Sequence, residues 1–498
     1  MLFNSLQFLL FFPVVLVVYF AIPNKVKTYW LLLASYYFYM CWNAKYALLL
    51  MTSTIITYFS GLLIEKVKQS KYEIKKQKVL KRAIVGLSFS SNLAILFYFK
   101  YINFVMDVIS SAFGSVGVEL NVPTFDILLP VGISFYTFQA LSYTMDVYRD
   151  EIYAEKNIFK YALFVSFFPQ LVAGPIERSK NLLKQLAVPK RFDYEKARKG
   201  LLLMIWGFFL KLVIADRAAI FVNTVYGDYM TYAGWYIVVA TMLFAVQIYC
   251  DFYGYSIIAM GAAKMLNIDL MENFDAPYIS TSVATFWRRW HISLTSWFKD
   301  YLYIPLGGSR KGKIRKQINK MIVFLVSGLW HGTSLSFVVW GGLNGMYQII
   351  GEVTKPVRDF FVKILRLNRQ TVAHKFMQIM GTFVLVDFSW IFFRASSLRE
   401  SIAIVKQMFS INNLWIFFDE SIYKCGLDGK NFRLLLICIV VLLFADFCKN
   451  RKIVIHEIII KQDYWFRWLF IAFTVGFILI FGIWGPTYEA ANFIYFQF

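Results

Sequence analysis

Charged residues are scarce in this 498-residue chain, at 16% of the total, and acids are scarcest, with 30 Asp and Glu against 52 Lys and Arg. That is too little polar surface to clothe a soluble core of this size. Cysteine is rare as well. Cys41, Cys250, Cys425, Cys438 and Cys448 show neither paired nor metal-type spacing, and four of them lie in or beside apolar runs, as small core residues do. There is no Gly-rich phosphate loop, no Ser-His-Asp spacing, no metal cluster, no long internal repeat and no low-complexity tract. Nucleotide-loop, serine-triad and resident-metal chemistry therefore find no support.

What is abundant is apolar surface: 59% of residues are hydrophobic and 19% aromatic. Runs of near-spanning length recur from end to end, among them Phe8–Ile22, Ala47–Ile64, Leu201–Val222, Trp235–Ile248, Met321–Trp340, Phe376–Phe393, Leu434–Phe447 and Trp465–Trp484. At about 20 residues per span, the pattern predicts an all-α, polytopic transmembrane bundle of roughly 11 to 13 membrane segments. The first three fall near 5–22, 27–43 and 46–64. The fourth, near 83–113, contains Lys100 and Asp107 and is expected to tilt or break. The first run lacks a small-residue cleavage site and reads as a spanning helix, not a removed signal peptide.

The net charge of +22 resides largely in short basic segments between these runs. Glu65–Arg82 carries eight Lys or Arg, Ser309–Lys320 carries six, and Lys449–Arg467 is basic too. This is the positive-inside pattern, and it argues for anionic lipid heads and against nucleic acid as the partner. Three crossings ending at the 65–82 segment put the N-terminus outside. Ser115–Asp126, without Lys or Arg, suits the outer face.

Between 127 and 345 the apolar runs are interrupted by Pro, Gly and charge. Broken helices at membrane depth need protein or a cavity beside them, which places the functional core here and makes the ends a supporting shell. Thr285–Phe298 mixes Trp287, Trp290 and Trp297 with charge. It reads as an interfacial or re-entrant helix with its tryptophans at headgroup depth.

Four histidines bear on chemistry. His374 and His456 sit in basic stretches and read as loop or interfacial residues. His331 lies inside the apolar run Met321–Trp340, flanked by Ser327, Gly328, Gly332 and Ser334, small residues that leave space for a substrate. A buried neutral imidazole accepts a proton at neutral pH. The plainer alternative is a histidine hydrogen-bonded between helices. His291 follows Arg288-Arg289-Trp290 and is either functional or a headgroup-depth residue. Arg288 and Arg289 suit a donor phosphate or an ordinary cytoplasmic edge. Asp251, among aromatics, needs a cavity or a structural partner such as an Arg. The chain closes Phe493-Ile494-Tyr495-Phe496-Gln497-Phe498. That tail is an interface anchor, or it docks inward and presents the Tyr495 hydroxyl.

Ser327-Gly328-Leu329-Trp330-His331-Gly332 resembles the catalytic histidine motif of the membrane-bound O-acyltransferase (MBOAT) family. Pro130–Gln139, Pro169–Arg178, Tyr249–Ser256 and Phe286–Leu294 resemble its supporting motifs, in the order of the bacterial branch that serves alginate O-acetylation, peptidoglycan O-acetylation and teichoic acid D-alanylation. The resemblance implies an MBOAT-type helical bundle around a central tunnel with re-entrant helices. It implies N-terminal helices over 1–124, a catalytic core over 125–350, C-terminal helices over 351–484 and an outward-facing tail over 485–498. It implies an acyltransferase in the bacterial cell membrane, with both termini outside. His331 matches the catalytic histidine and His291 the second one. Phe493, Tyr495 and Phe498 resemble the acyl-acceptor motif. Arg288, Arg289, Asp251 and Trp330 are candidates for donor binding or tunnel lining. The implied donor is an acyl thioester, acetyl-CoA or an acyl carrier protein, with no permanently bound cofactor and no metal. The implied partners are membrane lipids, an extracytoplasmic SGNH-type acyltransferase and a polysaccharide as final acceptor. D-alanyl transfer from a carrier protein, and a non-enzymatic polysaccharide export component, remain the alternatives.

Overall fold

The computed structural model describes residues 1–114, 117–118, 129–171 and 174–484. All regular structure is helical, and no strand occurs among the described residues. Among the described residues six helices are long and apolar enough to cross a membrane: Tyr46–Lys68, Ile74–Ser110, Trp235–Met265, Val372–Arg394, Gly429–Asn450 and Tyr464–Phe481. The remaining apolar segments of the expected 11 to 13 are shorter or interrupted helices, such as Leu6–Ala21, Lys27–Met40 and Ile133–Tyr148.

Several expectations change. The fourth segment does not break at Lys100 or Asp107. It is one helix, Ile74–Gly114, of 41 residues and so about 60 Å long. The basic 65–82 segment is scarcely a loop, since Tyr46–Lys68 ends and Ile74–Gly114 begins within it. Its later lysines ride on the first turns of the long helix. The 485–498 tail and most of 115–126 lie outside the described residues.

The described residues form two compact units, one within 1–204 with 258–271, the other within 205–257 with 272–484. In the first, Phe3, Phe8 and Phe38 pack mutually, and Phe38 meets Phe168 at 5.6 Å. The Tyr161 hydroxyl donates to Thr57 Oγ1 at 2.7 Å, and the Tyr161 ring lies 4.4 Å from Tyr143. Gly132 opens helix Ile133–Tyr148 in the left-handed region (φ 74°), with Leu171 O where a Cβ would stand, so no other residue fits there.

The same unit holds a buried carboxyl in the segment before helix Ser179–Leu186. Glu177 is fully buried and accepts from the Met271 N–H and from Asn181 Nδ2. Gln185 brackets Asp269 through both backbone groups, and Lys196 and Lys264 reach its carboxylate at 2.9 and 2.8 Å. Together these bonds fix the backbone at Asp269 and Met271. Burial pushes Glu177 up to about 7, against hydrogen bonds that pull the other way. Folding therefore binds a proton more tightly than the unfolded chain does, and stability falls as pH rises from about 4.5 to about 7. Glu177→Gln keeps an acceptor for Met271, so melts across pH 5 to 8 should be flatter than wild type, with the largest gain at the alkaline end. A wild-type slope retained in the variant would assign the pH dependence elsewhere.

Helix Tyr194–Phe208 runs into a wide π turn of the second unit, Phe209–Ala215, before Asp216–Gly227. The run Met321–Trp340 is not one helix. It splits into Lys313–His331 and Leu335–Val353, a tight hairpin around Gly332–Ser334. At the far end of this hairpin Glu352 receives both Lys316 and Lys320. Two of the six basic residues of 309–320 are thus neutralised, while Arg310, Lys311, Lys313 and Arg315 stay exposed.

Candidate active site

His331 is the last residue of its helix, 4% exposed, with Gly332 as the C-cap. Ser334 caps the next helix by accepting from the Ser336 N–H at 3.2 Å. The small residues around His331 do not hold open space, as the sequence led us to expect. A Cβ on Gly332 would fall 2.1 Å from the Phe337 ring, one on Gly328 2.3 Å from Phe337 O, and one on Gly341 2.3 Å from Phe324 O. Gly328 and Gly341 let the two helices of the hairpin touch backbone to backbone, and Gly332 makes room for the Phe337 ring.

The walls around the imidazole are aromatic. Ring centroids of Trp330, Trp340 and Phe393 lie 4.8, 5.1 and 5.4 Å away, all edge-on. Trp340 stacks on Trp390 at 5.8 Å, and both are 1% exposed. Within this wall the Trp287 indole N–H donates to Asn344 Oδ1 at 3.1 Å. Those of Trp340 and Trp390 have no hydrogen-bond partner among the described residues. Buried donors normally find an acceptor, so two such donors in the wall that holds the imidazole suit the carbonyl oxygen of a bound ligand.

His291 breaks the second aromatic stretch into two short helices, Val283–Arg289 and Ile292–Phe298. Its backbone is left-handed (φ 45°), an unfavourable state for a residue with a Cβ, held by Ile292 N–H to Asn273 O at 2.9 Å. Asn273 also sets the ring. Its Oδ1 accepts from Ser293 N–H and Ser293 Oγ, while its Nδ2 donates to Ser256 Oγ. The oxygen therefore faces His291 Nδ1 at 3.1 Å, and that nitrogen must carry the proton. In the neutral ring the lone pair is at Nε2.

The tryptophans of this stretch are turned into the protein: Trp287, Trp290 and Trp297 are 7%, 1% and 6% exposed. Trp330 packs against both imidazoles, at 6.2 Å from His291 and 4.8 Å from His331. Trp390 likewise touches Trp290 at 5.2 Å and Trp340 at 5.8 Å. The structure thus brings His331, His291 and Trp330 together.

The other candidates are placed differently. Arg288 is exposed and donates to Ala284 O of its own helix. Arg289 faces Asp275 at 3.9 Å and the Ala276 carbonyl. Asp251 has a structural partner, Lys211 Nζ at 2.7 Å. Tyr495, Phe493 and Phe498 lie outside the described residues. His374 and His456 stand in the first turns of helices Val372–Arg394 and Ile455–Ile460, not in loops. Cys250, Cys425, Cys438 and Cys448 are buried and Cys41 is exposed. No group of three metal-type ligands occurs among the described residues.

Sequence reasoning missed Asn273, Trp340, Trp390 and Phe393. Asn273 carries no local signal, since its role depends on contacts 18 and 20 residues away. Trp390 and Phe393 close an apolar helix whose aromatic density alone does not mark a site.

The chain is 34% identical over 458 residues to a probable alginate O-acetylase of Pseudomonas syringae pv. tomato, covering 91% of this chain and 83% of that protein. It is 31% identical to a peptidoglycan O-acetyltransferase of Helicobacter pylori, over 83% and 81% of the two chains. Its likeness to a teichoic acid D-alanyltransferase of Bacillus subtilis is narrower, 27% over 44% of this chain and 58% of that one. With a family match over residues 18–386, a span that holds both histidines with Trp330 and Trp340, this chain belongs to the membrane-bound O-acyltransferase family, and it is a multi-pass membrane acyltransferase.

Proposed function

We propose that this acyltransferase moves an acetyl group from a cytoplasmic thioester across the membrane for O-acylation of an exported or cell-wall polysaccharide. The observation that carries the reading is His331, buried in an aromatic wall whose Trp340 and Trp390 indole N–H groups have no acceptor among the described residues. Acetyl is favoured over D-alanyl because the relatives matching more than four-fifths of this chain are named for O-acetylation. Those named for D-alanylation match about half or less.

The acceptor is the Tyr495 hydroxyl. A phenol titrates near 10 and attacks poorly at neutral pH. His331 takes the phenolic proton as the oxygen bonds to the thioester carbonyl. The tetrahedral oxyanion collapses, the carbon–sulfur bond breaks, and the imidazolium returns the proton to the departing thiolate. That imidazolium forms at a helix C-terminus, whose partial negative charge favours it. An extracytoplasmic SGNH-type transferase, with its own serine, then carries the acyl group to the polymer. The relay answers the membrane barrier: the donor stays inside and the polymer outside. Both termini stand outside, and the exposed basic residues at 310–315 receive coenzyme A phosphates or an acidic carrier protein.

The test is mass spectrometry of the purified protein after incubation with acetyl-CoA. A Tyr495 peptide heavier by one acetyl group is the expected result. Tyr495→Phe should lose that signal and, in cells, polymer acetylation. Polymer acetylation at the wild-type level in the variant would favour direct transfer without the relay.

A further inference from the structure

Lys211, Asp216 and Asp251 form an ion cluster at most 4% exposed, deep in the second unit. Lys211 Nζ reaches Asp216 Oδ1 at 2.9 Å and Asp251 Oδ1 at 2.7 Å, and it lies over the Tyr255 ring. Burying charge is costly unless each group is well paired. Lys211 and Asp216 are five residues apart, which is the repeat of a π turn. The Asp216 N–H donates to Lys211 O across the same five residues. The cluster thus clamps the π turn Phe209–Ala215 in its wide form.

The wide turn serves the end of the chain. Leu212 O accepts from the Ile483 N–H at 3.0 Å. Arg217, two residues beyond the turn and 3% exposed, donates Nη1 to Val213 O and Nη2 to Phe481 O, each at 2.7 Å, and Nε to Asn431 Oδ1 at 3.2 Å. Helix Tyr464–Phe481 is otherwise largely uncovered, with 6% of its apolar window buried in the protein. Its free end is held here, immediately before the tail.

We propose that Arg217, seated on the π turn by the Lys211–Asp216–Asp251 cluster, is a positioning residue that fixes where the C-terminal tail departs and so delivers Tyr495 to the His331 site. This role rests on the acyl-tyrosine reading. From Ile483 to Tyr495 is 12 residues, a reach of at most about 40 Å. A tether of that length raises the local concentration of the acceptor only when its root is well placed.

The experiment compares wild type, Arg217→Gln and Ile483→Pro, each purified as the full chain with acetyl-CoA. Proline removes the N–H that Leu212 O accepts and leaves the ion cluster untouched. One arm follows acetylation of the chain's own Tyr495. The other follows acetylation of an added peptide of residues 485–498, measured in the Tyr495→Phe background. Both variants should lose at least about tenfold in the first arm and keep the second. If Arg217→Gln loses both arms, Ile483→Pro decides. Selective loss of its own-tyrosine arm upholds the role, and unchanged rates or equal loss in both arms overturn it. A wild-type chain that never acetylates Tyr495 overturns the acyl-tyrosine reading, and this role with it. Equal Tyr495 rates in wild type and both variants overturn this role alone.

Discussion

Replacing His331 by Gln should lower acetyl transfer about 10³-fold, within the range that a general base supplies, while the protein still inserts and melts close to wild type. Glutamine fills much of the same space but accepts no proton at neutral pH. The imidazole meets its surroundings through edge-on contacts with Trp330, Trp340 and Phe393. Such ring pairs are worth about 0.5–1.5 kcal/mol each, so their partial loss is a modest cost to a helix end. The measurement is thiol release from acetyl-CoA by purified protein, alongside a thermal melt in detergent. Thiol release within tenfold of wild type would transfer the base role to another group, with His291 the first to examine, since its lone pair at Nε2 is set by Asn273.

The second large effect is on stability. Gly341→Ala places a methyl 2.3 Å from the Phe324 carbonyl oxygen, a backbone atom with nowhere to go. The hairpin helices must separate along the seam that carries Gly328 and His331, and overpacking of this kind costs about 1–3 kcal/mol or more. The neighbouring Gly342→Ala is the control. Its nearest contact is Leu325 Cδ2 at 3.7 Å, an ordinary separation, and helix propensity favours alanine there. We expect Gly341→Ala to lower the melting temperature and to reduce transfer with it, and Gly342→Ala to leave both unchanged or raise stability. Equal melts for the two variants would show that the hairpin seam is softer than its geometry implies.

Much of this was legible in the sequence, for identifiable reasons. The helices near 5–22, 27–43 and 46–64 announce themselves by apolar length and polar ends, and they form as Leu6–Ala21, Lys27–Met40 and Tyr46–Lys68. His331 stood out because an ionisable group in an apolar run is costly, whereas His291 and Trp330 were marked chiefly by the motifs of the family resemblance. The break after His331 was hidden, because Gly332–Ser334 interrupts hydrophobicity too briefly to register over a span. The burial of Trp287, Trp290 and Trp297 was hidden too. Tryptophan suits headgroups and protein cores alike, and composition does not separate them. Lys211 passed unnoticed inside the run Leu201–Val222, and its pairing with Asp251 spans 40 residues of chain. Such partners become visible only when the helices are placed side by side.

The two histidine segments lean on one indole. Trp390 meets Trp290, next in chain to His291, and Trp340, which meets His331. Close-packed rings shift as blocks instead of compressing. Volume in this region is accordingly held in common: enlarging one histidine's surroundings shrinks or loosens the other's. Any change in the size of acyl group accommodated there must be met by compensating changes on both sides of Trp390, so the two histidines are constrained to vary as a single packing unit.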